Sequence, residues 1–262
     1  MKNEMELVLP HERVDDLQLK GLKIIQDPKG FCFGIDAVLL SNFTKLKSGD
    51  TVVEFGTGTG IIPILLSGKT EFKKIYAFEV QEQMAEMATR SIQLNGLEDR
   101  IEVIHANLID AIDYVPLGSV DVVVSNPPYM SGTGGLKNPS DLKAISRHEV
   151  LCTLEDIVEK AAKLLKFKGK FYLIHRPNRL VDIFVLCRKY KLEPKRIRMI
   201  QPFVHKSPNI CLIQCVKGGN SELHVQEPLI VYEQGGTFTK EIYEIYGMEN
   251  ITAFTKENGE ES

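Results

Sequence analysis

Val52-Val53-Glu54-Phe55-Gly56-Thr57-Gly58-Thr59-Gly60 decides the fold. An apolar run of strand character ends in alternating glycines, and a helix is predicted directly after it, over 61–68. Glycine lets the backbone turn tightly and brings N–H groups close to a ligand. A helix N-terminus adds a partial positive field at the same point. Outward from this stretch the chain alternates two kinds of pattern. Apolar runs predict strands at 51–55, 74–79, 101–104, 120–125 and 169–174. Amphipathic runs predict helices near 61–68, 81–94, 107–113, 153–166 and 178–190. This order implies a parallel sheet with helices on both faces. Beyond it, Arg196–Ile200 and Ile210–Val216 leave no room for a crossover helix, so these two strands are predicted antiparallel. Upstream, residues 16–26 alternate around Lys20-Gly21, which predicts a β-hairpin. Asp36-Ala37-Val38-Leu39-Leu40 then opens a short helix, with Asp36 as its expected cap. The expected division is a hairpin and helix over 1–45, one α/β domain over 46–250 and a flexible tail over 251–262, ending polar and acidic.

The 262 residues are 43% hydrophobic, enough to bury one large core. No run of 18 apolar residues is present, and no apolar signal core follows Met1, so a cytoplasmic protein without membrane contact is expected. The five cysteines, Cys32, Cys152, Cys187, Cys211 and Cys215, fit neither a disulfide framework nor a metal-ligand spacing, and no metal is expected. Charge is uneven. Between Lys166 and Lys206 twelve Lys and Arg face only Asp182 and Glu193, a local +10 in a chain whose net charge is −3. Such asymmetry points to a face built for a polyanion.

Glu79 ends the second strand, 19 residues after Gly60. A carboxylate there can accept hydrogen bonds from two ribose hydroxyls, which marks a nucleoside site. The dinucleotide fingerprint is G-x-G-x-x-G, but here the third glycine comes one position early, and Ile61 occupies its place. The run is E-x-G-x-G-x-G, which resembles the first motif of class I methyltransferases. The resemblance implies S-adenosylmethionine as cofactor, with Glu54 toward its cationic methionine end. The expected cofactor contacts are Glu54, Gly56, Thr57, Gly58, Gly60 and Glu79. Val80 is expected against the adenine ring. Asn107, after the third strand, is expected at the adenine amine through its side-chain oxygen.

Val122-Val123-Val124-Ser125 ends in Asn126-Pro127-Pro128-Tyr129. Two prolines stiffen the turn, so Asn126 and Tyr129 can be placed accurately. An exocyclic amine on a heteroaromatic ring is a poor nucleophile because its lone pair is delocalised. Two fixed acceptors, the Asn126 side-chain oxygen and the Pro127 carbonyl, would draw the nitrogen toward tetrahedral geometry. Tyr129 would stack on the ring, a contact of about 1–3 kcal/mol. Positioning then carries the rate, and no strong general base is required. Asn126 is expected to touch the cofactor as well.

The Asn126-Pro127-Pro128-Tyr129 turn matches the (N/D/S)-P-P-(Y/F/W) motif of amino-group methyltransferases acting on adenine, cytosine or glutamine. From Phe31-Cys32-Phe33-Gly34-Ile35-Asp36 through Arg147-His148-Glu149, the chain resembles the bacterial tRNA (adenine-N6)-methyltransferases, which act next to the anticodon of a valine tRNA. The resemblance implies a Rossmann-like class I methyltransferase fold, α/β, with a seven-stranded mostly parallel sheet, one antiparallel strand and helices on both faces. It places Phe33 and Asp36 over the cofactor, and Arg147 and His148 at the substrate. Arg176 and Arg179 follow the fifth strand and are the leading candidates for phosphate contacts, with Lys195 and Arg196 behind them. The target base must be unstacked, which an anticodon loop allows cheaply. Glutamine methylation of a release factor, methylation of a ribosomal RNA base and a non-catalytic cofactor- and RNA-binding module are the competing readings. Release-factor enzymes carry an N-terminal helical domain, whereas here a hairpin precedes the glycine motif.

Overall fold

The computed structural model describes residues 4–30, 32–128 and 152–248. Seven strands build the predicted sheet: β3 (Thr51–Phe55), β4 (Lys74–Glu79), β5 (Ile101–His105), β6 (Val120–Ser125), β7 (Leu165–His175), β8 (Leu192–Gln201) and β9 (Ile210–Lys217). They lie in the order β8-β9-β7-β6-β3-β4-β5. Only β9 runs antiparallel to its neighbours, β7 and β8, as expected. Two further short strands, β10 (His224–Val225) and β11 (Leu229–Ile230), pair parallel with β8 and cover part of its outer edge. Covering an edge strand satisfies its unpaired backbone groups and blunts its tendency to template aggregation.

Side chains alternate across the strands into two cores. Val52, Val122, Val124, Tyr172 and Ile174 face one core with helices α2 (Ile35–Phe43) and α3 (Ile61–Ser67). Val53, Phe55, Val123, Phe171 and Leu173 face the other, with α6 (Leu154–Leu164) and α7 (Leu180–Lys189). α6 opens with a capping box in which Thr153 and Asp156 satisfy each other's backbone N–H groups. Gly34, not Asp36, is the N-cap of α2; Asp36 stands one residue inside, in the first turn, where its charge still favours the helix N-terminus.

Two boundaries in the sheet moved from their predicted places, and the hairpin predicted over 16–26 begins at Arg13, its first strand ending at Asp16. The helix at 153–166 ends at Leu164, and β7 starts at once. Val120 pairs with Leu165 and Val122 with Lys170, so Asp121 alone faces Lys166–Gly169. Lys168 adopts φ 63° inside this bulge. The Asp121 carboxylate holds it by pairing with Lys166 at 2.8 Å, and accepts from Thr51 N at 2.9 Å. Likewise β8 begins at Leu192, four residues early, because a bulge between Pro194 and Arg196 absorbs the proline.

The hairpin is β1 (Arg13–Asp16) against β2 (Lys23–Gln26). It backs onto α4 (Glu82–Leu94): Ile25 N donates to Ser91 Oγ, and Lys23 exchanges backbone bonds with the Asn95 side chain. Arg90, 9% exposed, clamps the entry. It donates to Glu12 Oε1 at 2.7 Å, to Glu86 Oε2 at 2.9 Å and to the Leu7 carbonyl at 2.7 Å. Removing it strands buried acceptors, a loss of about 3 kcal/mol. Arg90→Met is therefore expected to lower unfolding free energy by about 3 kcal/mol in urea titration and to expose the hairpin to protease first; an unchanged midpoint would show that the clamp contributes nothing.

Candidate active site

Four strands end side by side. Phe55 pairs with Ser125 on one side and Phe78 on the other, and Glu79 pairs with His105. Gly56, Val80, Ala106 and Asn126 therefore leave the sheet along one edge, at the carboxyl ends of β3, β4, β5 and β6. The chain reverses direction of progression between β3 and β6, and ligands bind at such switch points.

The glycine loop is pinned from beneath. Gly56 N and Thr57 N both donate to the Phe78 carbonyl, at 2.9 and 3.0 Å. Gly56 and Gly58 take φ 76° and 58°, and a Cβ built on either meets nothing within 4 Å. Those two positions border open space that a larger residue would begin to fill. Gly60 also has positive φ, as the left-handed N-cap of α3, and a Cβ on it would meet Ala88 at 3.4 Å.

Glu79 accepts from Gly58 N at 2.9 Å and from Gln81 N at 3.0 Å. One carboxylate thus sets the loop, and each oxygen keeps a lone pair for a hydroxyl ligand. Glu54 is different. It is 1% exposed, and among the described residues neither of its oxygens has a hydrogen-bond partner; the Thr57 hydroxyl is likewise buried and unpartnered among them. Burial pushes the Glu54 carboxyl up to about 8, and the charge of Glu79 adds to the shift. The Thr57 hydroxyl stands near enough to oppose it, without hydrogen-bond geometry. A buried carboxyl of this kind is costly unless a proton or a counter-charge meets it.

Asn126 is half-buried and Pro127 buried at the end of β6. Ser125 Oγ donates to the Phe55 carbonyl at 3.3 Å, tying this turn to the glycine loop. Tyr129, Arg147 and His148 lie outside the described residues. Asn107 caps a 3-10 turn over Leu108–Asp110, its Oδ1 accepting from Ile109 N at 3.0 Å. Val80 is half-buried beside Glu79, and its carbonyl meets His105 Nε2 at 3.2 Å. Phe33 packs against the core and donates its N–H to the buried Gln26 side chain at 2.9 Å. Gln26 thereby links the hairpin to the Phe33 segment, a role with no sequence signal. The negative charge of Asp36 helps push the Tyr246 hydroxyl up, after burial and Tyr232, which sets Asp36 beside the C-terminal helix α8 (Lys240–Ile245).

The basic window does not form one face. β7 runs from Leu165 to His175, so Lys166 and Lys168 lie at its amino end, about 20 Å from the site edge. Arg176 and Arg179 do stand at the carboxyl edge. Arg176 donates to the Asn209 carbonyl at 2.9 Å, and Arg179 pairs with Asp182 at 2.7 Å. Lys195 and Arg196 belong to the first half of β8, away from the site edge. Lys195 reaches the Asn220 and Ser221 carbonyls. Arg196 turns inward, stacked 4.2 Å over the Phe43 ring and bonded to the Phe43 carbonyl at 2.8 Å. His175 is no basic contact either: it is 4% exposed, and burial, with the Arg179 charge, pushes it down to about 4. Burial lifts the Cys152 thiol to about 11, and the charges of Asp156 and Glu79 add to the rise.

A profile of the methyltransferase small domain family matches residues 33–182. A tRNA1(Val) (adenine(37)-N6)-methyltransferase of Pedobacter heparinus is 28% identical over 222 residues, covering 85% of this chain and 92% of its own length. One from Porphyromonas gingivalis is 26% identical over 200 residues, covering 74% and 78%. Among solved structures, a predicted O-methyltransferase from Agrobacterium tumefaciens superposes with a TM-score of 0.66 at 23% identity, over 82% of this chain and 96% of its own.

Because the folded protein holds the Glu54 proton up to about 8 while the unfolded chain releases it near 4.5, stability from this group falls as pH rises between those values and levels off above. Ligand-free Glu54→Gln is expected to melt several degrees above the wild type at pH 8, with the gap closing toward pH 4.5; equal melting at pH 8 would mean that the carboxylate has a partner.

Proposed function

The chain belongs to the methyltransferase small domain family, and we propose that it transfers the methyl group of S-adenosylmethionine to the exocyclic N6 of an adenine in tRNA, beside the anticodon. The observation that carries this reading is the coincidence, on adjacent strands, of an open glycine loop, a buried carboxyl without a partner and the Asn126-Pro127 turn. Relatives aligned over most of their length bear the name of the same activity.

When bound, S-adenosylmethionine supplies an electrophilic methyl group on a sulfonium. Glu54 and Thr57 offer their unpartnered oxygens to the cationic methionine end, and Gly56 and Gly58 leave the room for it. Glu79 takes the ribose hydroxyls, Val80 the flat face of the adenine and Asn107 its amine. Asn126 and the Pro127 carbonyl accept both hydrogens of the target amine and so fix the direction of its lone pair. Tyr129 supplies the stacking partner for the target base. Arg147 and His148, with Arg176 and Arg179, contact the substrate. His175 stays neutral at pH 7 and adds no positive charge next to the turn.

Labelled methyl transfer to unmodified total tRNA, followed by nucleoside analysis, tests this. Label is expected in N6-methyladenosine. Asn126→Ala is expected to cut turnover by about a hundredfold or more while cofactor affinity stays within a few-fold, since the residue acts by positioning the amine. Label in a protein glutamine or in ribosomal RNA, with none in tRNA, would overturn the substrate assignment.

A further inference from the structure

Beyond β8 and β11 the chain builds a column of rings. Tyr246 stacks on Phe238 at 5.9 Å, Phe238 on Tyr232 at 5.4 Å, Tyr232 leans on Phe203 at 5.5 Å, and Phe203 stacks on His205 at 5.7 Å. The inner rings, Tyr246, Phe238 and Tyr232, pack on the main core. The outermost ring, His205, is exposed. The column is thus rigid at its root and ends in solvent on an aromatic face. A groove of about 560 Å³ runs beside it, lined by Phe203, Val204, His205, Ile230, Tyr232 and Glu233 among others. Val204 on its wall is 69% exposed.

Position and charge say what the groove takes. Phe203 and His205 follow Gln201, and Tyr232 follows Ile230, which pairs with Gln201. Both segments leave the same carboxyl edge as Asn126. β8 lies three strands from β6, a lateral distance of about 14 Å, which a few nucleotides of single strand can span. Two cationic side chains, Arg176 and Lys206, stand along this stretch of the edge. Arg176 at the end of β7 holds Asn209, in the same loop as His205 and Lys206. An aromatic platform beside a cationic track is the arrangement that binds unpaired nucleotides.

We propose that this groove is a second RNA subsite, which stacks an unpaired base flanking the target on the His205–Phe203 face while Lys206 and Arg176 meet its phosphates. Glu233 at the rim accepts from an exocyclic amine of that base. The proposal rests on the tRNA reading above.

The test compares steady-state methylation of unmodified tRNA by the wild type, His205→Ala, His205→Phe and Val204→Glu. Loss of one stacked base converts to about a tenfold rise in KM for tRNA. His205→Ala and Val204→Glu are expected to show that rise with kcat and S-adenosylmethionine affinity unchanged, and His205→Phe to keep the wild-type KM. Unchanged KM in His205→Ala and Val204→Glu overturns the subsite. So does a KM rise accompanied by equal loss of cofactor affinity, which would report a disturbed fold. Unchanged KM together with a lower oligomeric mass for Val204→Glu would assign the groove to a second copy of the chain. If the wild type does not methylate tRNA, the substrate reading fails by itself. Direct titration with a mixed-sequence single-stranded RNA oligonucleotide then decides the groove: about tenfold weaker binding by His205→Ala supports it, and equal binding overturns it.

Discussion

The parallel pairing of β3 with β6 sets Phe55 opposite Ser125, and a side-chain bond from Ser125 to the Phe55 carbonyl fastens the two ends together. A sheet register has no intermediate positions: a slip of one residue would turn every side chain to the other face. With the register fixed, the glycine loop and the Asn126 turn have one possible spacing. Both are then stiffened locally, the loop by two bonds to the Phe78 carbonyl and the turn by its prolines. The methyl transfer proposed here relies on placement, and placement is a property of the sheet.

The same pairing buries Glu54 in the face that holds Val52 and Val124. An unpartnered carboxyl with its titration pushed up to about 8 is a cost to the empty protein. Valine in its place would pack better and destroy the complement to a cationic ligand. Glu79, on the adjacent strand two residues beyond Ala77, the partner of Glu54, shows the contrast. It too is buried, but two backbone N–H groups satisfy it, and its work on the loop continues whether or not a ligand is present. One carboxylate organises the loop, and the other is the one that the proposed reaction sets against the cationic end of its cofactor.

The sheet order and the site edge were legible because they rest on period and punctuation. Strand alternation, glycines at a strand end and a proline turn all act locally, so residues 51–60 and 126–128 carry their own evidence. What the sequence could not convey was long-range. The start of β7 at Leu165 depends on Asp121 pairing with Lys166, a partner 45 residues away. Pro194 hides the first half of β8, since a proline is tolerated there only because a bulge removes the need for its N–H. The +10 window looked like a single patch because charge was counted along the chain. Strand polarity divides it: Lys166 and Lys168 fall at one end of β7, Arg176 at the other, and Arg196 is folded over Phe43. His175, inside the same window, adds no charge to it, because burial pushes its imidazole down to about 4.

That division has a consequence for how a polyanion can be held. With Lys166, Lys168 and Lys195 tied to partners at the far edge, the cationic groups that stand at the site edge among the described residues include Arg176, Arg179 and Lys206. Phosphate contacts alone would give this edge modest, salt-sensitive affinity and little sense of position. Stacking does not weaken with salt in the same way, and it orients a base as a charge cannot. A ring column anchored in the core and ending at His205 therefore offers what the sparse arginines do not, a fixed contact outside the catalytic turn from which the register of a single strand can be set.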